Sequence, residues 1–172
     1  MKNIKKLVFT ASFAALGVVL SAFYIPVGAS KCFPVQSMLN VLAGVLLGPS
    51  YAVCMAFVTS LIRVVLGTGS FLAFPGSMIG ALCSGLLYKR FHRFWGAYLG
   101  EALGTGILGA VAAYPVAALL LNARTAALAY VIPFSISSFA GAAVSVAVLE
   151  LLRKTKILHA LHLQGRTLPK HP

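Results

Sequence analysis

Acidic side chains are almost missing from this chain. Two Asp or Glu residues stand against fourteen Lys and Arg in 172 residues, so no acidic pair is available for metal binding or proton work. Cysteine is as sparse. Cys32, Cys54 and Cys83 are odd in number and lack CxxC spacing, and two of them fall in apolar segments where a free thiol packs as a small hydrophobe. Of the four histidines, His92 lies in a basic loop and His159, His162 and His171 lie in a polar tail. A His-x-x-His pair with no carboxylate or Cys beside it is poor ground for a metal site, and neither metal nor cofactor is expected. No GxxxxGK(S/T) loop is present, which excludes P-loop ATP hydrolysis by this chain itself. No nucleophile, base and orienting group fall on a common site, and the chain reads as a non-enzyme.

What the chain has in abundance is apolar surface. Its residues are 60% hydrophobic and 9% charged, against about 45 to 50% and about 25% in soluble domains. This composition belongs to a membrane protein. A formal charge of +12 would suit nucleic acid only on a folded basic face or a known binding module, and neither is visible. Length permits one domain, with no linker, low-complexity tract or strict repeat.

Residues 7–27, LVFTASFAALGVVLSAFYIPV, carry no charge over a length that matches a hydrocarbon core of about 30 Å. This stretch exceeds the usual h-region of a signal peptide and is expected to be retained as the first helix. Further helices are expected at 35–48, stopped by Gly48-Pro49, at 51–66, ending at Gly67, at 75–88, with Pro75 in its first turn, and at 95–121 and 126–152. The fold expected is an all-α, polytopic six-transmembrane-helix bundle over residues 4–156, followed by a basic cytoplasmic tail at 157–172. Six crossings place Lys2, Lys5, Lys6, Lys89, Arg90, Arg93, Arg153, Lys154, Lys156, Arg166 and Lys170 on the side of the termini, against Lys31 and Arg124 on the other. That asymmetry makes the termini cytoplasmic.

Arg63 and Glu101 are the only charged side chains placed clearly inside the bilayer, each costly there without a partner or a wet cavity, by about 2.5 to 3.5 kcal/mol or more. They either brace one another or serve a polar cavity. Gln36 and Asn40, four apart, share a helix face. Ser77 follows the Pro75 break, Tyr114 precedes Pro115, and Ser135, Ser137 and Ser138 follow Pro133, all at a similar depth. The stretch RVVLGTGSFLAFPGS, residues 63–77, is too rich in Gly and Pro for a clean helix. Irregular backbone at membrane depth has to be buried or line a cavity, so it is expected to wall an outward-facing pocket with Arg63 at its floor or rim. Phe74 and Tyr114 are the expected aromatic wall, and Gln36, Asn40, Ser77 and Arg63 the donors. Small residues four apart, at Ala11 and Ala15, Gly44 and Gly48, Gly76 and Gly80, and Gly100 and Gly104, allow close helix approach.

The runs GPSYAVCMAFVTSLIRVVLGTGSFLAFPGSMIGALCSGLLYK and GEALGTGILGAVAAYPVA resemble the ThiW group of substrate-binding S components of energy-coupling factor (ECF) transporters. The resemblance covers residues 4 to about 156, and RxxxGTGSxLAFPGS is its most specific part. It implies the six-helix S-component fold in a prokaryotic plasma membrane and a thiamin-precursor substrate, the hydroxyethylthiazole moiety. It also implies a transmembrane coupling subunit and two ATP-binding-cassette ATPases as partners, docked through the small-residue motif matched here by Ala11 and Ala15. Pyrimidine or intact thiamin as substrate, a self-powered carrier, and a non-transport assembly or structural protein of the membrane stand as alternatives.

Overall fold

The computed structural model describes residues 2–27, 30–120 and 130–155. The expected start of the last helix at 126–129, Arg124, Lys156 and the basic tail lie outside the described residues. The described chain is built from six helical rods. The first is α1, Lys2–Val19, extended by a 3-10 turn at Leu20–Ala22. After it come a hairpin of β1, Ile25–Val27, and β2, Ser30–Cys32, then α2, Pro34–Leu46, α3, Pro49–Val65, and α4, Ala73–Phe91. The fifth rod joins α5, Phe94–Leu103, to α6, Ala110–Leu120, through a π-helical segment, Gly104–Gly109. The last is α7, Val131–Lys154.

Local chemistry sets most of these boundaries. Pro34 and Pro49 sit in the first turns of α2 and α3, where a missing N–H costs nothing. Between these helices Gly48 takes φ 99°, a conformation that side chains oppose. Gly67, at φ 72°, ends α3, and the N–H groups of Thr68 and Gly69 both donate to Arg63 O, at 2.9 and 3.0 Å. The first rod departs from expectation. It stops at Ala22 rather than residue 27, because Pro26 cannot donate a helical hydrogen bond and the chain pairs instead in the hairpin, Ile25 opposite Cys32. The helix expected at 75–88 is longer at both ends, Ala73–Phe91, with Pro75 still in its first turn.

Among the described residues, three rods have the length and apolar character to cross a membrane: Asn3–Ala22, Phe94–Leu119 and Val131–Lys154. Pro34–Leu46 and Pro49–Val65 are shorter apolar helices. Large apolar side chains face outward around the bundle, among them Val19, Val65, Leu119 and Ile132, a surface suited to lipid rather than water.

Helix α2 forms the centre. Leu39 through Leu46 are all buried, as befits a helix packed against others on every side. α1, α3, α4, α5 and α7 pack around it, and glycines set the spacing. A Cβ on Gly44 would lie 2.9 Å from Gly85 N, and one on Gly85 would lie 2.7 Å from Pro49 Cα. On Gly100 it would meet Cys83 O at 2.5 Å. The small-residue positions of α2, α4 and α5 thus bring backbones together inside the bundle. Ala11 and Ala15 are different, since they lie exposed on α1 while Thr10, Ala14 and Gly17 turn inward.

One end of the bundle gathers the basic side chains. Lys6 stands over the Tyr51 ring and Arg153 over Phe94. Lys89 and Arg90 fall in the last turn of α4, and Arg153 and Lys154 in the last turn of α7. The hairpin and the 66–72 connection occupy the opposite end.

Candidate functional site

A cavity of about 340 Å³ opens at the hairpin end, lined by side chains from almost every rod. Gln36, Ser37 and Asn40 come from α2 and Arg63 from α3. Gly69, Ser70 and Leu72 come from the connection, Ala73, Gly76 and Ser77 from α4, and Thr105 from the π-helical segment. Phe33 and Lys31 close it from the hairpin, and Tyr130, Phe134 and Ser137 from the last rod.

The walls are tied down by long-range bonds. Cys32 Sγ donates to Pro133 O at 2.9 Å and Phe33 N to Ser137 Oγ at 3.0 Å, fastening the hairpin to α7. Ser21 Oγ donates to Thr68 Oγ1 at 3.3 Å, joining the end of the first rod to the connection. A Cβ on Gly69 would lie 3.0 Å from Arg63 Cβ, so this glycine lets the connection lie on the arginine.

Arg63 dominates the polar face. It is 1% exposed, and its guanidinium carbon lies 3.7 Å from the centre of the Phe33 ring, a cation–π contact. Nη1 donates to Gln36 Oε1 at 3.4 Å. Nε and Nη2 have no hydrogen-bond partner among the described residues. A buried guanidinium with two idle donors is costly unless something else satisfies them. A cavity bordered by that side chain is where a ligand would do so.

Arg63 and Glu101 do not pair directly. Two amides stand between them: Gln36 Nε2 donates to Asn40 Oδ1 at 3.3 Å, and Asn40 Nδ2 donates to Glu101 Oε1 at 3.1 Å and to Ser77 O at 3.2 Å. Glu101 is fully buried and behind the lining rather than in it. Thr105 Oγ1 is 2.8 Å from its Oε1 and 3.1 Å from Gly76 O. Ser77 Oγ donates to Ala73 O at 2.7 Å and accepts from Ser60 Oγ at 3.0 Å.

Gln36, Asn40, Arg63 and Ser77 all line this one cavity. The aromatic wall is not the expected one. Phe74 packs against Phe57 and Phe71, with ring centres 5.7 and 6.4 Å away, outside the lining. Tyr114 is 40% exposed on α6. The π-helical segment winds more residues per turn, so a face counted at 3.6 residues per turn through α5 does not carry on to Tyr114. Phe33, Tyr130 and Phe134 supply the rings instead. Two of these carried a signal: Tyr130 and Phe134 are four apart on one face, as are Glu101 and Thr105. Phe33 precedes Pro34 as Phe74 precedes Pro75, and only the first of the two reaches the cavity.

A bundle with a lipid-compatible surface, holding a small cavity with aromatic walls and unsatisfied donors, defines a membrane protein that binds a small molecule. The family model described as thiamine-precursor transporter protein (ThiW) matches residues 7–155. The chain belongs to the ThiW family, and to the transport of thiamine precursors. Comparison with curated proteins and with solved structures returns no match.

Proposed function

We propose that this chain is the substrate-binding S component of an ECF importer and that it captures hydroxyethylthiazole in the cavity beside Arg63. The observation that carries the substrate reading is the pairing of Arg63, with Nε and Nη2 unpartnered, and the ring of Phe33 beneath it. A thiazole has a polarizable face for aromatic walls, a ring nitrogen that accepts a hydrogen bond, and a hydroxyethyl arm for the polar side chains. Phe33, Tyr130 and Phe134 form the walls, and Gln36, Asn40, Arg63 and Ser77 the polar contacts, with Glu101 behind them. The volume, about 340 Å³, falls at the small end of ligand cavities, which run from about 300 to 1,000 Å³.

Energy comes from partners in this reading. The chain has no phosphate loop and one buried carboxylate, Glu101, so a coupling subunit with two ATP-binding-cassette ATPases drives uptake. Ala11 and Ala15 form the docking face on α1, where small side chains admit a partner helix. The basic end faces the cytoplasm of a prokaryotic cell, with both termini, and the cavity opens outward. Purification of the chain in detergent, followed by mass spectrometry of small molecules released on denaturation, tests the substrate. The thiazole alcohol is expected. An aminopyrimidine or intact thiamin as the retained molecule overturns it.

A further inference from the structure

The hydrogen bonds linking Arg63 to Glu101 all point the same way. Arg63 donates to Gln36, Gln36 donates to Asn40, and Asn40 donates to Glu101. A carboxamide has one accepting end and one donating end. Once the Asn40 nitrogen is turned toward Glu101 Oε1 and Ser77 O, its oxygen is left for Gln36. The Gln36 nitrogen is then used on Asn40, and its oxygen is left for Arg63. Reversing either amide would set donor against donor at Arg63 or leave the Glu101 oxygen without that donor.

We propose that Glu101, although it does not line the cavity, is a positioning residue for ligand recognition. By accepting at the end of the relay it orients both amides, which hold Nη1 of Arg63 and leave the Nε and Nη2 edge for the ligand. The wall that results is a donor surface, selecting ligands that present acceptors. Thr105 donates to the same carboxyl oxygen or to Gly76 O, so α4, the π-helical segment and α2 all fix the anchor. Ser37 also hydrogen-bonds to the Glu101 carboxyl, while the Asn40 bond falls on Oε1, so the relay itself needs an accepting oxygen at Oε1.

This inference rests on the cavity being the binding site of the proposed function. Two substitutions separate its parts. Glu101→Gln keeps an accepting oxygen for Asn40, whereas Glu101→Met keeps the bulk and loses the acceptor. In the full chain in detergent, with 4-methyl-5-(2-hydroxyethyl)thiazole as titrant, Glu101→Gln is expected to retain the wild-type Kd. Glu101→Met is expected to weaken binding roughly 5- to 150-fold, the loss of one buried polar contact. Once Gln36→Met has cut the relay at Arg63, adding Glu101→Met is expected to weaken binding by less than it does in the wild-type chain. A Glu101→Met protein that melts lower but binds with wild-type Kd has lost only a structural brace, and that result overturns the proposal, as does additivity with Gln36→Met. A ligand-free readout runs in parallel: the Arg63 Nε–H resonance in 15N-labelled protein is expected to shift in Glu101→Met and to stay in place in Glu101→Gln. If the wild-type chain binds no thiazole, the proposed substrate fails on its own, and the resonance still decides the relay. An unmoved resonance in Glu101→Met overturns it.

Discussion

Replacing Arg63 by Met separates a ligand donor from a structural cation. The side chain is 1% exposed and, among the described residues, makes one hydrogen bond, to Gln36, and one ring contact, with Phe33. Losing them costs roughly 1.5 to 3 kcal/mol for a bond to a charged group and about 0.5 to 2 kcal/mol for the ring contact. Against this, the substitution removes two buried donors that have no partner among the described residues, each carrying an unmet cost of about 1 to 3 kcal/mol. The two sums nearly cancel, and a Met side chain refills most of the volume. Arg63→Met is therefore expected to leave the melting temperature of the unliganded protein unchanged or slightly raised, because a buried charge without full compensation does not stabilise a fold. Binding is another matter. If the ligand accepts from Nε or Nη2, its loss weakens Kd by about 10- to 150-fold, and ligand no longer raises the melting temperature. Thermal unfolding in detergent with and without the thiazole alcohol, together with calorimetric titration, reads both quantities. A variant that unfolds many degrees lower yet binds as tightly as wild type would refute the reasoning and make Arg63 a brace.

The aromatic wall is tested by contrast: Phe134→Ala is expected to weaken thiazole binding at least tenfold in titration, whereas Phe74→Ala, outside the lining, leaves Kd within about twofold. Gly85→Val drives a side chain into Pro49, whose Cα would already lie 2.7 Å from a Cβ; the expected cost is about 3 kcal/mol or more, read as loss of folded protein by size-exclusion chromatography. Ala11→Trp with Ala15→Trp changes an exposed face of α1. It is expected to abolish ATP-dependent uptake in cells carrying the coupling module while the purified variant keeps its Kd, and full uptake by that variant would remove this face as the dock.

The sequence carries the helical frame because its punctuation is strong. The Gly48-Pro49 pair and Gly67 help place the boundaries of α2 and α3 within two residues, since each either lacks a donor or needs positive φ. The hairpin escapes such reading. Ile25 to Val27 is as apolar as the helix before it, and only the pairing with Ser30 to Cys32 distinguishes a strand from a last helical turn. At the site, Gln36 and Asn40 are legible from their four-residue spacing, and Arg63 from its cost in an apolar segment. Their connection to Glu101 is not, because the oxygen that Asn40 reaches is brought to it by the glycine contacts between α2, α4 and α5. Phe33, Tyr130 and Phe134 become a wall only when the hairpin and the last rod close over α2. Phe74 looks equivalent in sequence but spends its ring on Phe57 and Phe71.

The central claim is that a thiamine precursor sits in this cavity against the free edge of Arg63. An experimental structure of the chain with bound thiazole alcohol tests it most directly. The account predicts the ring among Phe33, Tyr130 and Phe134, with an acceptor of the ligand within about 3.2 Å of Arg63 Nε or Nη2. A ligand bound elsewhere, or one in the cavity with both of those nitrogens still unpartnered, would contradict it.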